Sequence, residues 1–158
     1  MKLVEKRVVI AAPPADVYAL LTDPELFVEW MAPVADLDPR PGGVVAWTHH
    51  NGDTVRGEFV ELVPARRVVF TYGWDRDDVG IPPGSTTVEI DLRPIPEGTE
   101  LRLVHRGLEG PMADAHAGGW SNYLARLAVR STGRDPGPDP LADGRVPSRS
   151  ELGLSPPT

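Results

Sequence analysis

The order of apolar and polar positions divides this chain into a strand, two short helices, a series of hairpins, one long helix and an aperiodic end. Residues 4–10 predict a strand, which Pro13 and Pro14 end because proline fixes φ and has no N–H for a sheet ladder. Proline is tolerated in a helix's first turn, and Val17, Tyr18 and Leu21 then recur at helical spacing. Asp23-Pro24 breaks that helix and starts another, with Leu26, Phe27 and Trp30 as its apolar positions. Pro41-Gly42-Gly43 marks a turn into a strand over residues 44–50, and Asn51-Gly52 predicts a type I′ hairpin turn. Strands over residues 54–62 and 67–74 follow, joined through Pro64-Ala65. Residues 75–84 are polar and rich in proline and glycine, so they predict a loop before a hairpin of residues 86–92 and 100–106. From Pro111 the period turns helical: His116, Trp120, Tyr123, Leu124 and Leu127 share one face, with Met112 close to it.

A strand followed by two short helices closing on Trp30 resembles the opening of the START-like superfamily. Gly57-Glu58-Phe59-Val60-Glu61-Leu62-Val63-Pro64 followed by Arg67-Val68-Val69-Phe70-Thr71-Tyr72 is similar to the central hairpin of its branch of heat-shock-protein ATPase activator homologues. Gly119-Trp120-Ser121-Asn122-Tyr123-Leu124-Ala125-Arg126-Leu127 is similar to that branch's C-terminal helix. The resemblance covers residues 4–132 and implies an α+β helix-grip fold, a curved antiparallel sheet wrapped around a long C-terminal helix. Such folds are containers. The superfamily holds co-chaperones, lipid and hormone binders and polyketide cyclases, so the fold alone does not name a chemistry.

A length of 158 residues predicts one domain, and a chain of this size buries roughly 70% of its unfolded surface. The composition shifts after residue 133. Residues 1–134 form the expected domain, and residues 135–158 a Pro/Gly-rich tail whose removal should cost less than ~1 kcal/mol. Only the short Leu152-Gly153-Leu154 could dock on the body. The chain has no cysteine, which excludes disulfides and thiolate chemistry. Its net charge of −7 disfavours nucleic acid and anionic membrane surfaces as partners. No apolar run approaches the ~18 residues of a membrane span, and residues 8–12 are too short for a signal-peptide core, so a cytoplasmic domain is expected.

Strand parity selects the side chains that face the helix. Arg102 and Arg106 belong in water, which puts Leu101, Leu103 and His105 inside; Val88, Ile90 and Leu92 face in by the same alternation. Along residues 67–74 the apolar set is Val68, Phe70, Tyr72 and Trp74, while Trp47 and His49 share a face of their own strand. Residues 54–62 have broken parity, and Gly57 suggests a bulge or a close backbone approach. The candidate pocket is therefore Trp30, Trp47, Phe70, Tyr72, Trp74 and His105, together with Met112, His116, Trp120 and Tyr123 of the helix. Apolar walls with a few polar tips suit a small apolar or aromatic ligand, and they equally suit an ordinary core.

No metal site is expected: His49 and His50 are adjacent on a strand and point apart, and His116 has no second histidine at i+4. Neither a phosphate loop, a dinucleotide fingerprint nor a Gly-x-Ser-x-Gly elbow occurs, so no cofactor is expected. An inward His105 could exchange protons near neutral pH, with Glu61 as its carboxylate partner if that strand's parity follows Phe59. Three functions remain open. They are a binder of small apolar or aromatic molecules, a cofactor-free enzyme of the cyclase or dehydratase type in the same cavity, and a co-chaperone-like interaction domain, as a monomer or homodimer.

Overall fold

The computed structural model describes residues 1–156. Strand β1 (Lys2–Ile10) leads into helices α1 (Pro14–Thr22) and α2 (Pro24–Phe27), then strands β2 (Val34–Leu37), β3 (Val44–Thr48), β4 (Thr54–Val63), β5 (Arg67–Tyr72), β6 (Thr86–Ile95) and β7 (Gly98–Leu108), and helix α3 (Gly110–Ser131). The seven strands form one antiparallel sheet in the order β1-β7-β6-β5-β4-β3-β2. Pro14 begins α1 and Pro24 begins α2, where Asp23 accepts the Glu25 N–H with its side chain. The buried face of α3 carries Met112, His116, Trp120, Tyr123, Leu124 and Leu127 at spacings of three and four, as the apolar period requires. None of the helices among the described residues is long and apolar enough to cross a membrane.

Strand parity holds in β5, β6 and β7. Val68, Phe70, Tyr72, Val88, Ile90, Leu92, Leu101, Leu103 and His105 are all buried. In β4 the register slips between Phe59, which faces Phe70, and Glu61, which faces Val69. This bulge at Val60 sends Glu61 outward to an ion pair with Arg67 at 2.7 Å, so Glu61 is not the expected partner of His105. Gly57 is explained by close approach: a β-carbon there would stand 1.9 Å from the Thr71 carbonyl oxygen.

Three local expectations are corrected. β2 has no clear alternation to predict it, and it pairs with β3 as the sheet's edge. The Asn51-Gly52 turn is not type I′, since Gly52 alone has positive φ there (90°), and Gly52 N–H donates to His49 O while Asn51 Oδ1 accepts the Asp53 N–H. A three-residue loop with glycine in the left-handed position fits this pattern better than a two-residue turn.

The third correction concerns the tail. Residues 135–156 form no helix or strand, but they are attached throughout their length. Asp139 accepts hydrogen bonds from Tyr123 and Asn122, Gly137 O from Arg126, Gly144 O from Asn51 and Val146 O from Arg76. Farther along, Arg149 N–H donates to Asp78 O, the Arg149 guanidinium pairs with Glu109, and Ser148 is buried. Val146, Leu152 and Leu154 pack against the core. Proline and glycine exclude regular structure without excluding contact, and side-chain donors of the body satisfy the irregular backbone. A chain ending at Arg134 should therefore lose about 2–4 kcal/mol in chemical denaturation, from several hydrogen bonds near ~1 kcal/mol each and three apolar contacts. An unchanged midpoint would mean that these contacts contribute nothing in solution.

Candidate functional site

At one end of the sheet, β3 and β5 stand away from α3, and the tail crosses the gap. The space between them is a cavity of about 390 Å³. Its walls come from Trp47 and His49 at the end of β3, Tyr72 and Trp74 at the end of β5, and His116, Trp120 and Tyr123 on α3. Met31 and the Asn51–Asp53 loop close the sides, while Leu141 and residues 144–147 form the roof. Gly118 and Gly119 lie on the helical wall, and a β-carbon at either would meet nothing within 4 Å. Two glycines inside a helix cost roughly 1 kcal/mol each relative to alanine. Gly118 is exposed to solvent, and Gly119 is the one that leaves the chamber wide.

Six of the ten residues selected from the sequence line this cavity: Trp47, Tyr72, Trp74, His116, Trp120 and Tyr123. The other four are packed elsewhere in the core. Trp30 donates its indole N–H to Leu20 O at 2.8 Å and stacks edge-on with Phe27. Phe70 packs between Trp47 and Phe59, Met112 is buried at the start of α3, and His105 lies behind Tyr72 and Trp120 with no exposed surface. His49 was placed beside Trp47 by alternation and does line the wall. The roof, Asn51 and Asp53 have no periodic pattern that could reveal them. Gly119, a glycine in mid-helix, is a local signal of open space on α3.

Three tryptophan–histidine pairs organise the polar atoms. Trp47 Nε1–H donates to His49 Nε2 at 3.1 Å, Trp74 Nε1–H to His116 Nε2 at 3.0 Å, and Trp120 Nε1–H to His105 Nδ1 at 3.1 Å. An indole N–H can only donate, so each accepting imidazole nitrogen is bare and each ring is neutral. The other nitrogen then carries the proton. His116 Nδ1–H donates to Met112 O at 2.7 Å, and His105 Nε2–H to Thr86 Oγ1 at 2.9 Å, whose own hydroxyl donates to Tyr72 O. His49 Nδ1–H is directed at the Tyr123 hydroxyl 3.4 Å away, and Tyr123 O–H donates to Asp139 Oδ2 at 2.7 Å.

Burial favours the same neutral forms. It lowers the His105 pKa to about 3, with His116 adding a smaller like-charge contribution, and it lowers His116 and His49 as well. Burial, reinforced by the hydrogen bond to Asp139, pushes the Tyr123 phenol up. Asp139 itself is held below the usual carboxylate range: its burial acts upward and is outweighed by hydrogen bonds from Tyr123, the Leu141 N–H and Asn122. Near neutral pH the chamber is thus walled by neutral rings, with the anion of Asp139 at the junction of α3 and the tail. Among the described residues no group of three or more histidine, aspartate and glutamate side chains converges as a metal site would require.

A seven-stranded antiparallel sheet closed by a C-terminal helix, with two short helices after its first strand, is the helix-grip architecture of START-like proteins. The profile of the family described as "Activator of Hsp90 ATPase homolog 1-like protein" matches residues 11–131, and the chain belongs to that family. The solution structure of an AHSA1-like protein from Rhizobium etli is 44% identical, covering 92% of this chain and 91% of that one, with a TM-score of 0.68. A crystal structure of a Mesorhizobium loti protein shares the fold at 22% identity, with a TM-score of 0.74 over 84% of this chain and 97% of that one. The Aha1 dimer from Colwellia psychrerythraea also shares it, at 19% identity and a TM-score of 0.68, covering 81% of this chain and 94% of that one. Comparison with curated proteins gave no match.

Proposed function

We propose that this protein binds a small apolar or aromatic molecule in the chamber between β3, β5, α3 and the tail. The observation that carries the reading is the open volume itself: about 390 Å³, within the usual range of ligand sites, remains between aromatic walls that could have closed on one another. Gly119 supports it, because it gives up helix propensity on the wall of the chamber, where a side chain would have open space before it. Trp47, Tyr72, Trp74, Trp120 and Tyr123 supply flat apolar faces, and the neutral imidazoles of His49 and His116 add no charge.

An acid–base enzyme in the same chamber is less well supported. Both nitrogens of His105 and His116 are engaged within the protein, and Glu61 is outside. The co-chaperone reading rests on the family's name. The dimeric Colwellia psychrerythraea relative supports a homodimer only by analogy of fold.

A screen of two-ring aromatic compounds by thermal unfolding tests the proposal. A binder at ~100 times its dissociation constant stabilises the fold by roughly 2.7 kcal/mol, which appears as a higher midpoint. Gly119→Leu supplies the control. Its β-carbon meets nothing within 4 Å and the rest of the side chain takes up chamber space, so the free protein should be unchanged or up to ~1 kcal/mol more stable through helix propensity, while the ligand-induced shift disappears. Ligand shifts that survive Gly119→Leu would move the binding site elsewhere.

A further inference from the structure

Among the aromatic and imidazole rings that line the chamber, hydrogen-bond accounting leaves one polar proton without an acceptor in the described residues. The indole N–H groups of Trp47, Trp74 and Trp120 are taken by three histidines, and Tyr123 O–H is taken by Asp139. His116 is occupied at both nitrogens, and Asn51 is used by Gly144 O and the Asp53 N–H. Tyr72 differs. It lines the chamber, is 4% exposed, and its O–H reaches no acceptor among the described residues. Its ring is fixed by Trp47 and Trp74, each 5.9 Å away between centroids, and by His105 at 4.5 Å. The Trp74 indole N–H near its oxygen is itself a donor and is given to His116, and the Tyr123 hydroxyl, also nearby, makes no hydrogen bond to it among the described residues. The Tyr72 oxygen is not among the sealed, unpartnered polar atoms of the fold; it opens on the chamber, where an acceptor carried by a guest can reach its proton.

Resting on the binding function proposed above, we infer that the ligand carries a neutral hydrogen-bond acceptor, a carbonyl or ether-type oxygen on an aromatic frame, and seats that oxygen on the Tyr72 hydroxyl. Burial, with Tyr123 close by, pushes the Tyr72 phenol up, so the group remains a donor across the working pH range. Neutrality of the acceptor follows from the surrounding charges. The three imidazoles are uncharged, and Arg76 is saturated by Asp53, Asp78 and Val146 O. Arg126 is held by Trp30 O and Gly137 O, and the sole guanidinium lining the chamber, Arg145, is an exposed residue of the roof. A carboxylate at Tyr72 would be buried with no counter-charge, which is far more costly than burying a ketone. The site therefore offers one free hydroxyl donor at a defined place on a wall of neutral rings, with Asn51, Asp53 and Arg145 at the sides and roof.

Benzophenone and diphenylmethane, which differ by a carbonyl in place of a methylene, test this directly. The native chain should bind benzophenone more tightly by roughly 3–10-fold, the range expected of one neutral hydrogen bond. The carbonyl stretch of bound benzophenone should lie at lower wavenumber than in an apolar solvent. In Tyr72→Phe the ring packing is retained and no hydrogen bond donated by the phenol is lost, so the free variant should unfold at or slightly above the native midpoint. Its affinity for diphenylmethane should be unchanged, its preference for the ketone should vanish, and the carbonyl stretch should return to the apolar value. Equal affinity of the native chain for the two probes, or a preference that survives Tyr72→Phe, overturns the assignment to Tyr72 while leaving the chamber a binding site. Failure of the native chain to bind either probe overturns both. The stretch and the affinity ratio are read on the native chain too, so a poorly folded variant would not shield the inference.

Discussion

Trp120→Ala is expected to be the most damaging single substitution in α3, lowering stability by roughly 3–5 kcal/mol. The indole fills the centre of the helix's buried face, 5% exposed, and touches Tyr72 and His105. Its removal merges the chamber with the core beneath it and leaves His105 Nδ1 buried without its donor. Trp120→Phe separates the two contributions: it keeps most of the bulk, so a residual loss of about 1–3 kcal/mol would report the broken indole–imidazole bond. The neighbouring Ser121 is exposed, and Ser121→Ala should be close to neutral. Chemical denaturation of the three variants checks the set. Similar losses from Trp120→Ala and Ser121→Ala would contradict the helical phase on which the site is built.

Stability should also fall by about 2 kcal/mol between pH 7 and pH 5 through His105 alone. The sign follows from the proton balance. In the unfolded chain His105 titrates near ~6.5. In the fold, burial lowers it to about 3, with His116 contributing further. Below pH 6.5 the unfolded state binds the proton and the folded state does not, so stability that is complete above that pH is lost progressively down to about pH 3. His116 and His49 are shifted in the same direction and steepen the fall. Asp139 acts later: its folded pKa is below its unfolded one, so its contribution is lost only below about pH 4. Urea titrations at several pH values measure the slope. In His105→Gln the protein should be weaker at pH 7, yet its further loss on going to pH 5 should be about 2 kcal/mol smaller than in the native chain. An unchanged slope would mean that His105 is protonated in the folded state.

The inner faces of β5, β6 and β7 were legible because period-2 alternation is a local property, and Tyr72, Trp74 and His105 followed from it. The face of α3 was legible for the same reason, since Trp120 and Tyr123 lie on one apolar stripe. What alternation cannot convey is depth. His105 and Tyr72 both point inward, yet one is sealed behind the other's ring. Glu61 was lost to a bulge, a single extra residue that reverses every side chain beyond it. The seating of the tail is not legible, because low periodicity reports an absence of regular structure and not an absence of contact. Its seat depends on Arg76, Tyr123 and Arg126, residues distant in sequence whose donors carry no local signature of the backbone they will hold.

The roof lies outside residues 11–131, the stretch the family profile matches, and this separates two kinds of tolerance to change. A one-residue insertion in β5 would turn Tyr72 and Trp74 to solvent and destroy the chamber wall together with the core. An insertion between Asp139 and Val146 faces no such register, because each end is fastened by side-chain hydrogen bonds rather than by a ladder. The height and chemistry of the ceiling can therefore vary while the body stays fixed, and exchanging only residues 135–156 between relatives offers a modular way to alter what the chamber admits.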